Sequence, residues 1–227
     1  MDTKQRLQAV QDKINQAAQK YHRESASVTL LAVSKKQPID KIREAIDGGQ
    51  KHFGENYLQE ALVKIQELSG KDIVWHFIGP IQSNKTKLIA ENFAWVESVD
   101  RLKIAKRLNE QRPEGLPPLN VCIEVNLSDE DSKSGVSLNE ILPLAKEIIK
   151  MPRLKLRGLM SIPAFHDDFE KQRGVFKELA EALKMLNNEG LQLDTLSVGM
   201  SDDFEAAIAE GSTIVRIGTA IFGPREN

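Results

Sequence analysis

The chain has 227 residues, 41% hydrophobic and 28% charged, which suits a soluble globular protein able to bury a large core. Its net charge of −2 offers no bulk attraction to nucleic acid or to a membrane surface, and its single cysteine, Cys122, excludes an internal disulfide. The polar, amphipathic N-terminus lacks the apolar core of a signal peptide and no stretch is long enough to span a membrane, so the expected location is cytoplasmic.

Leu7, Val10, Ile14 and Ala17 fall on one stripe and predict a helix within residues 2–24. Eight short apolar runs follow: 29–34 (TLLAVS), around 52–54 (HFG), 73–78 (IVWHFI), 94–99 (AWVESV), 120–126 (NVCIEVN), 156–162 (LRGLMSI), 194–198 (DTLSV) and 213–217 (TIVRI). Amphipathic stretches such as "PIDKIREAIDGG", "NYLQEALVKIQEL" and "LNEILPLAKEIIK" lie between them, and "RPEGLPPLN" at 112–120 reads as the loop into the fifth run. Strand and helix alternating eight times predict an α/β chain that forms a single (β/α)₈ TIM barrel over 1–227, with an extra N-terminal helix. No linker marks a second domain.

Barrel sites form where the strands end. The first run ends in Ser34, Lys35 and Lys36, the second in Gly54, Glu55 and Asn56, and the fifth in Asn126 and "SDEDSKSG". The seventh ends in "GMSDD" and the eighth in "RIGTAIFG". Loops after the last two strands are the usual place for a phosphate. Gly218 admits close backbone approach, Thr219 adds a hydroxyl, and Ser201 with Asp202 and Glu205 has the spacing of a capping box at a helix start. That capping box is also the bland explanation for "GMSDD", and Asp202 and Asp203 oppose an anion unless they turn away. Arg216 lies in an otherwise apolar run, where it needs either an ion-pair partner inside the barrel or a ligand.

A strand-end lysine, an arginine on the last strand and a phosphate site beside it match the needs of pyridoxal 5′-phosphate. Burial and positive neighbours lower a lysine pKa, as attack on an aldehyde requires. A permanently protonated arginine at the pyridine nitrogen would leave that nitrogen unprotonated. Alternation leaves Lys35 and Lys36 equally eligible, because Leu31 and Val33 share one face, Leu30 and Ala32 the other, and both faces are apolar. The four histidines, 22, 52, 76 and 166, are scattered without metal spacing, and Cys122 reads as core.

"LLAVSK", "FGENYLQE", "WHFIGPIQSNK", "RGLMSIPA", "LSVGMSDDFEAAI" and "STIVRIGTAIFG" closely resemble the pyridoxal phosphate homeostasis protein family over nearly the whole chain. The resemblance implies one alanine-racemase-type barrel with Schiff-base attachment through the lysine of "AVSK", Lys35. It implies that Asn56 borders the cofactor, that Ser201, Gly218 and Thr219 hold its phosphate, that Arg216 faces the pyridine nitrogen, and that Met160 and Met200 line the pocket. The implied function is to sequester and deliver pyridoxal 5′-phosphate and so keep intracellular vitamin B6 and amino acids in balance, without amino-acid turnover.

A racemase is the alternative. Racemization needs proton donors on both faces of the cofactor, and the only tyrosines are Tyr21 and Tyr57. A lysine aldolase acting on a phosphorylated sugar is a third reading, which an absorption spectrum would separate. The expected partners are pyridoxal phosphate and apo-enzymes that require it, with no nucleic acid and no membrane, and the chain is expected to act as a monomer. Lys133 and Lys36 are candidate transit amines for the departing cofactor, against the ordinary reading of surface lysines.

Overall fold

The first helix, α1 (Thr3–Lys20), starts at a reciprocal cap: Asp2 accepts from the Gln5 N–H (2.7 Å), and the Gln5 side chain accepts from the Asp2 N–H (3.2 Å). Its stripe of Leu7, Val10, Ile14 and Ala17 is buried, as the spacing predicts. It ends earlier than residue 24, because His22 takes a left-handed φ of 57°. Arg23 then ties the chain to the carbonyls of Ile208 and Ser212. The structure is a computed structural model, and it describes residues 1–127, 134–164 and 166–224.

Strand and helix then alternate: β1 (Thr29–Val33), α2 (Ile39–Asp47), β2 (His52–Glu55), α3 (Leu58–Glu67), β3 (Val74–Phe77), α4 (Thr86–Asn92), β4 (Trp95–Val99) and α5 (Leu102–Gln111). The second half continues with β5 (Leu119–Glu124), α6 (Leu138–Ile148), β6 (Leu154–Met160), α7 (Phe169–Asn188), β7 (Thr195–Ser197), α8 (Phe204–Ala209), β8 (Ile214–Ile217) and α9 (Thr219–Phe222). Every predicted run is a strand. All neighbours pair parallel, and β1 pairs β8, so the sheet closes as β1 to β8 in order.

Alternation along each strand sorts the apolar residues into two layers. Leu30, Ala32, Phe53, Val96 and Val215 join the helices in the large outer cluster. Leu31, Val33, Ile78, Trp95, Cys122, Met160 and Ile214 form a smaller cluster inside the barrel. Cys122 is fully buried, as expected, and burial raises its thiol well above the ordinary range. The small inner cluster leaves room for polar side chains within the barrel, and these shape the site. No helix among the described residues is long and apolar enough to cross a membrane.

Candidate functional site

Leu31 and Val33 belong to the inner cluster, so Lys35 continues the inward face of β1. The strand stops at Val33, and the Gln37 N–H donates to the Ser34 carbonyl (3.1 Å) to close a turn. Within it Lys35 is half-buried, whereas Lys36 is exposed with a left-handed φ of 58°. Only Lys35 of the two lines the cavity at the strand ends. The tertiary structure thereby separates two lysines that alternation alone could not.

Buried charge braces this turn from behind. Lys64 on α3 is 3% exposed and donates to the Ser34 carbonyl (2.7 Å), to Glu55 (2.8 Å) and to Glu60 (2.5 Å). Ser34 Oγ donates to Glu55 (2.6 Å), and Glu60 accepts the Lys36 N–H (2.6 Å). Burial pushes the Glu55 carboxyl up, against the pull of Lys64 and Ser34. Charged groups this deep are costly unless they are paired and hydrogen-bonded, and here they hold the turn that carries Lys35.

The cavity has a volume of about 560 Å³, within the range of small-molecule sites. Val33 and Lys35 line it from β1, Asn56 and Ile78 from the ends of β2 and β3, and Ile162 from beyond β6. Met200, Ser201 and Asp202 enter after β7, and Arg216, Gly218, Thr219 and Ala220 come from β8 and the start of α9. Seven residues singled out from sequence therefore meet in one cavity: Lys35, Asn56, Met200, Ser201, Arg216, Gly218 and Thr219. Met160 is absent from the lining and lies fully buried in the inner cluster beneath it. Val33, Ile78, Ile162 and Ala220 are apolar lining that lies within the quoted motifs but that sequence reading did not single out as site residues. Lys133 and most of the acidic loop beginning at residue 128 lie outside the described residues.

The capping box expected of Ser201, Asp202 and Glu205 does not form. The helix starts later, with Asp203 at its N-cap. The Asp203 carboxyl turns back to accept the Met200 N–H (2.6 Å), and Glu205 pairs with Lys20 (2.7 Å) instead. Ser201 is left in the turn, against the cavity. Of the two aspartates that oppose an anion, Asp203 is buried in this backbone contact and Asp202 stands at the cavity edge. Gly199 precedes this turn with φ +97°, a conformation that L residues rarely adopt.

Arg216 is 4% exposed. Its Nη1 donates to Ser197 O (2.5 Å) and Ser197 Oγ (2.8 Å), and its Nη2 donates to Ser161 O (2.7 Å). Burial lowers its pKa, opposed chiefly by Glu97. Among the described residues no carboxylate forms a direct ion pair with it. Glu97, wholly buried, reaches it through Ser197. Sequence reading passed over Glu97, although an acid in the run "AWVESV" is the same kind of signal that marked Arg216. His52 and His76, which look scattered in sequence, lie with their ring nitrogens 3.0 Å apart.

Asn56 Oδ1 is a buried acceptor with no hydrogen-bond partner, on a residue that lines the cavity. Such atoms are rare unless a ligand or water completes them. A lysine, a buried arginine, hydroxyls from Ser201 and Thr219, the backbone at Gly218 and this unsatisfied amide compose a set suited to a small phosphorylated carbonyl compound. Residues 5–226 match the family "Alanine racemase, N-terminal domain". The chain is 54% identical over 228 residues to the pyridoxal phosphate homeostasis protein of Escherichia coli K12, covering 99% of this chain and 97% of that one. It is 58% identical over 214 residues to that of Pseudomonas aeruginosa, covering 94% and 92%. The fold superposes with a TM-score of 0.81 on PipY of Synechococcus elongatus PCC7942 solved with PLP bound, at 36% identity, over 87% of this chain and 93% of that chain.

Proposed function

Because the chain belongs to the pyridoxal phosphate homeostasis protein family, we propose that its barrel binds pyridoxal 5′-phosphate in the cavity at the strand ends, sequesters it and delivers it to enzymes that need it. The observation that carries this reading is the convergence of Lys35, Arg216, Ser201 and Thr219 on one cavity with the unsatisfied Asn56 amide. When bound, the cofactor supplies an aldehyde open to attack by a primary amine. Lys35 supplies that amine. Ser201, Thr219 and the Gly218 backbone take the phosphate, Arg216 faces the ring nitrogen without giving up a proton, and Met200 forms wall. Met160 supports the site by packing from below.

What surrounds Lys35 supports delivery rather than turnover. Two-sided proton transfer needs a second positioned acid. Neither tyrosine lines the cavity: Tyr21 OH donates to Glu205 (3.3 Å), and Tyr57 is half-exposed over a neighbouring cavity. Cys122 is shut inside the barrel with its thiol held protonated by burial. The match to a racemase domain family is what speaks for the second reading, a racemase.

The test incubates cofactor-loaded protein with an apo-enzyme that requires pyridoxal phosphate and, separately, with single-enantiomer amino acids in deuterated water. Reactivation of the apo-enzyme without racemization supports the carrier. Deuterium entering the α-carbon, with the opposite enantiomer accumulating at an enzymic rate, overturns it.

A further inference from the structure

Below the cavity the barrel axis is polar where a barrel core is ordinarily filled by branched apolar side chains. Ser197 Oγ accepts from Arg216 Nη1 (2.8 Å) and donates to Glu97 Oε2 (2.5 Å). The other carboxylate oxygen, Oε1, lies 2.6 Å from His76 Nδ1, and His76 Nε2 lies 3.0 Å from His52 Nδ1. Glu97, Ser197 and His76 are fully buried, while His52 is half-buried and opens on a separate, smaller cavity of about 210 Å³.

Donors and acceptors along this line are mutually consistent. Burial alone would raise the Glu97 carboxyl, but the His76 hydrogen bond, the charges of His76 and Arg216 and the Ser197 hydroxyl together bring it below its ordinary range. An ionised Glu97 can only accept, so Ser197 must point its hydroxyl hydrogen at Glu97 and is left to accept from Arg216. On the other side His76 must donate from Nδ1. Its ring is fixed for this by stacking on Trp95, at 5.1 Å between centroids and 9° between planes. His52, its pKa lowered to about 4 by burial and by the neighbouring His76, is neutral, and its Nδ1 lies against the remaining ring nitrogen of His76.

A buried carboxylate costs stability that apolar packing would not, so its presence one hydroxyl away from Arg216 calls for a role at the site. We propose that Glu97 is a positioning residue for cofactor binding: acting through Ser197, it holds the Arg216 guanidinium in the one orientation that presents it to the cavity. His76 in turn orients Glu97. The proposal rests on the reading that Arg216 faces the cofactor, and it names the group that sets how tightly and in what electronic state the cofactor is held.

The test titrates wild type, Glu97→Gln and Ser197→Ala with pyridoxal 5′-phosphate, following the visible absorption, with circular dichroism and thermal unfolding in parallel. Glu97→Gln keeps the shape but removes the charge and turns an amide donor toward either Ser197 or His76. Ser197→Ala cuts the link while leaving Glu97 on His76. Loss of a hydrogen bond to a charged group predicts affinity weakened about tenfold in each variant, with a displaced absorption maximum. A merely structural role would lower the melting temperature and leave affinity and absorption maximum alone. Folded variants within twofold of wild-type affinity and with its absorption maximum overturn the proposal. If Glu97→Gln does not fold, Ser197→Ala decides by the same criteria. A wild type that takes up no cofactor sinks the reading of the site and the proposal with it, whereas wild-type uptake with unchanged variants sinks the proposal alone.

Discussion

Leu31 and Arg216 are register partners across β1 and β8, the pair that closes the barrel. Lys35 continues the inward face of Leu31, so the amine and the guanidinium meet the cavity from adjacent strands at different depths. Lys35→Ala removes the amine while leaving the core of Leu31 and Val33 intact. The variant is expected to lose the visible absorption of the cofactor-loaded protein and to keep its far-UV circular dichroism. Borohydride treatment of loaded wild type followed by peptide mapping should find the pyridoxyl group on Lys35. Finding it on Lys36 would overturn the assignment.

Lys64→Met leaves Glu55 and Glu60 side by side behind the Lys35 turn with no cation between them. Removing one partner of a buried pair predicts a loss of about 3 kcal/mol at neutral pH. The Glu55 carboxyl already sits above its ordinary range and rises further without Lys64. The penalty is therefore full above that raised range and shrinks as pH falls and Glu55 takes up a proton. Urea unfolding at pH 5 and pH 8 measures the difference. An equal penalty at both pH values would mean that Lys64 contributes only packing.

Burial, with Asp100 adding to it, raises the Glu124 carboxyl to about 7. A carboxyl raised on folding contributes stability that is complete below its unfolded pKa and lost as pH climbs through the folded one. Over that window Glu124 costs the native state on the order of 3 kcal/mol. His52 acts in the opposite sense: depressed to about 4, it contributes stability present above its ordinary 6.5 and lost as pH falls through the lower value. The two partly cancel in wild type. Glu124→Gln is thus expected to gain stability relative to wild type between pH 5 and pH 8, seen in chemical unfolding at both. A constant offset between the two proteins would place Glu124 in an ordinary solvated environment.

A Cβ added at Gly79 would stand 2.2 Å from the Asn56 carbonyl oxygen, a backbone atom that cannot rotate aside. Gly79→Ala must therefore displace the backbone of Asn56, which lines the cavity. The expected result is a loss of about 1–3 kcal/mol in stability together with weakened cofactor binding, followed by thermal unfolding and cofactor titration. Unchanged cofactor affinity would show that Asn56 does not touch the cofactor.

Much of the fold was legible in the chain, because eight apolar runs separated by amphipathic stretches leave few ways to bury both faces of every strand. Seven of the residues picked out for the site meet in one cavity for a related reason: strand ends are marked in sequence by where apolar runs stop, and a barrel gathers those ends at one face. The reading failed where a local pattern had two uses. The spacing of Ser201, Asp202 and Glu205 fits a capping box, but the helix starts only after Asp203, whose carboxyl turns back to the Met200 N–H, while Glu205 is drawn to Lys20 from a distant part of the chain. Lys35 and Lys36 were indistinguishable because both faces of β1 are apolar, and only closure of the sheet made one face the inside.

The chain from His76 through Glu97 and Ser197 to Arg216 lay furthest from sequence reading. Each residue stands in an apolar run and is visible there as an oddity. Their partnership depends on Ser197 and Glu97 meeting from β7 and β4, strands that are not neighbours in the sheet. The sequence alone determined the alternation, the apolar layers and which residues end each strand, since these depend on local periodicity and burial. Only the tertiary structure decided which buried polar groups satisfy one another, because a hydrogen bond across the barrel exists only once the sheet has closed and brought its far sides together.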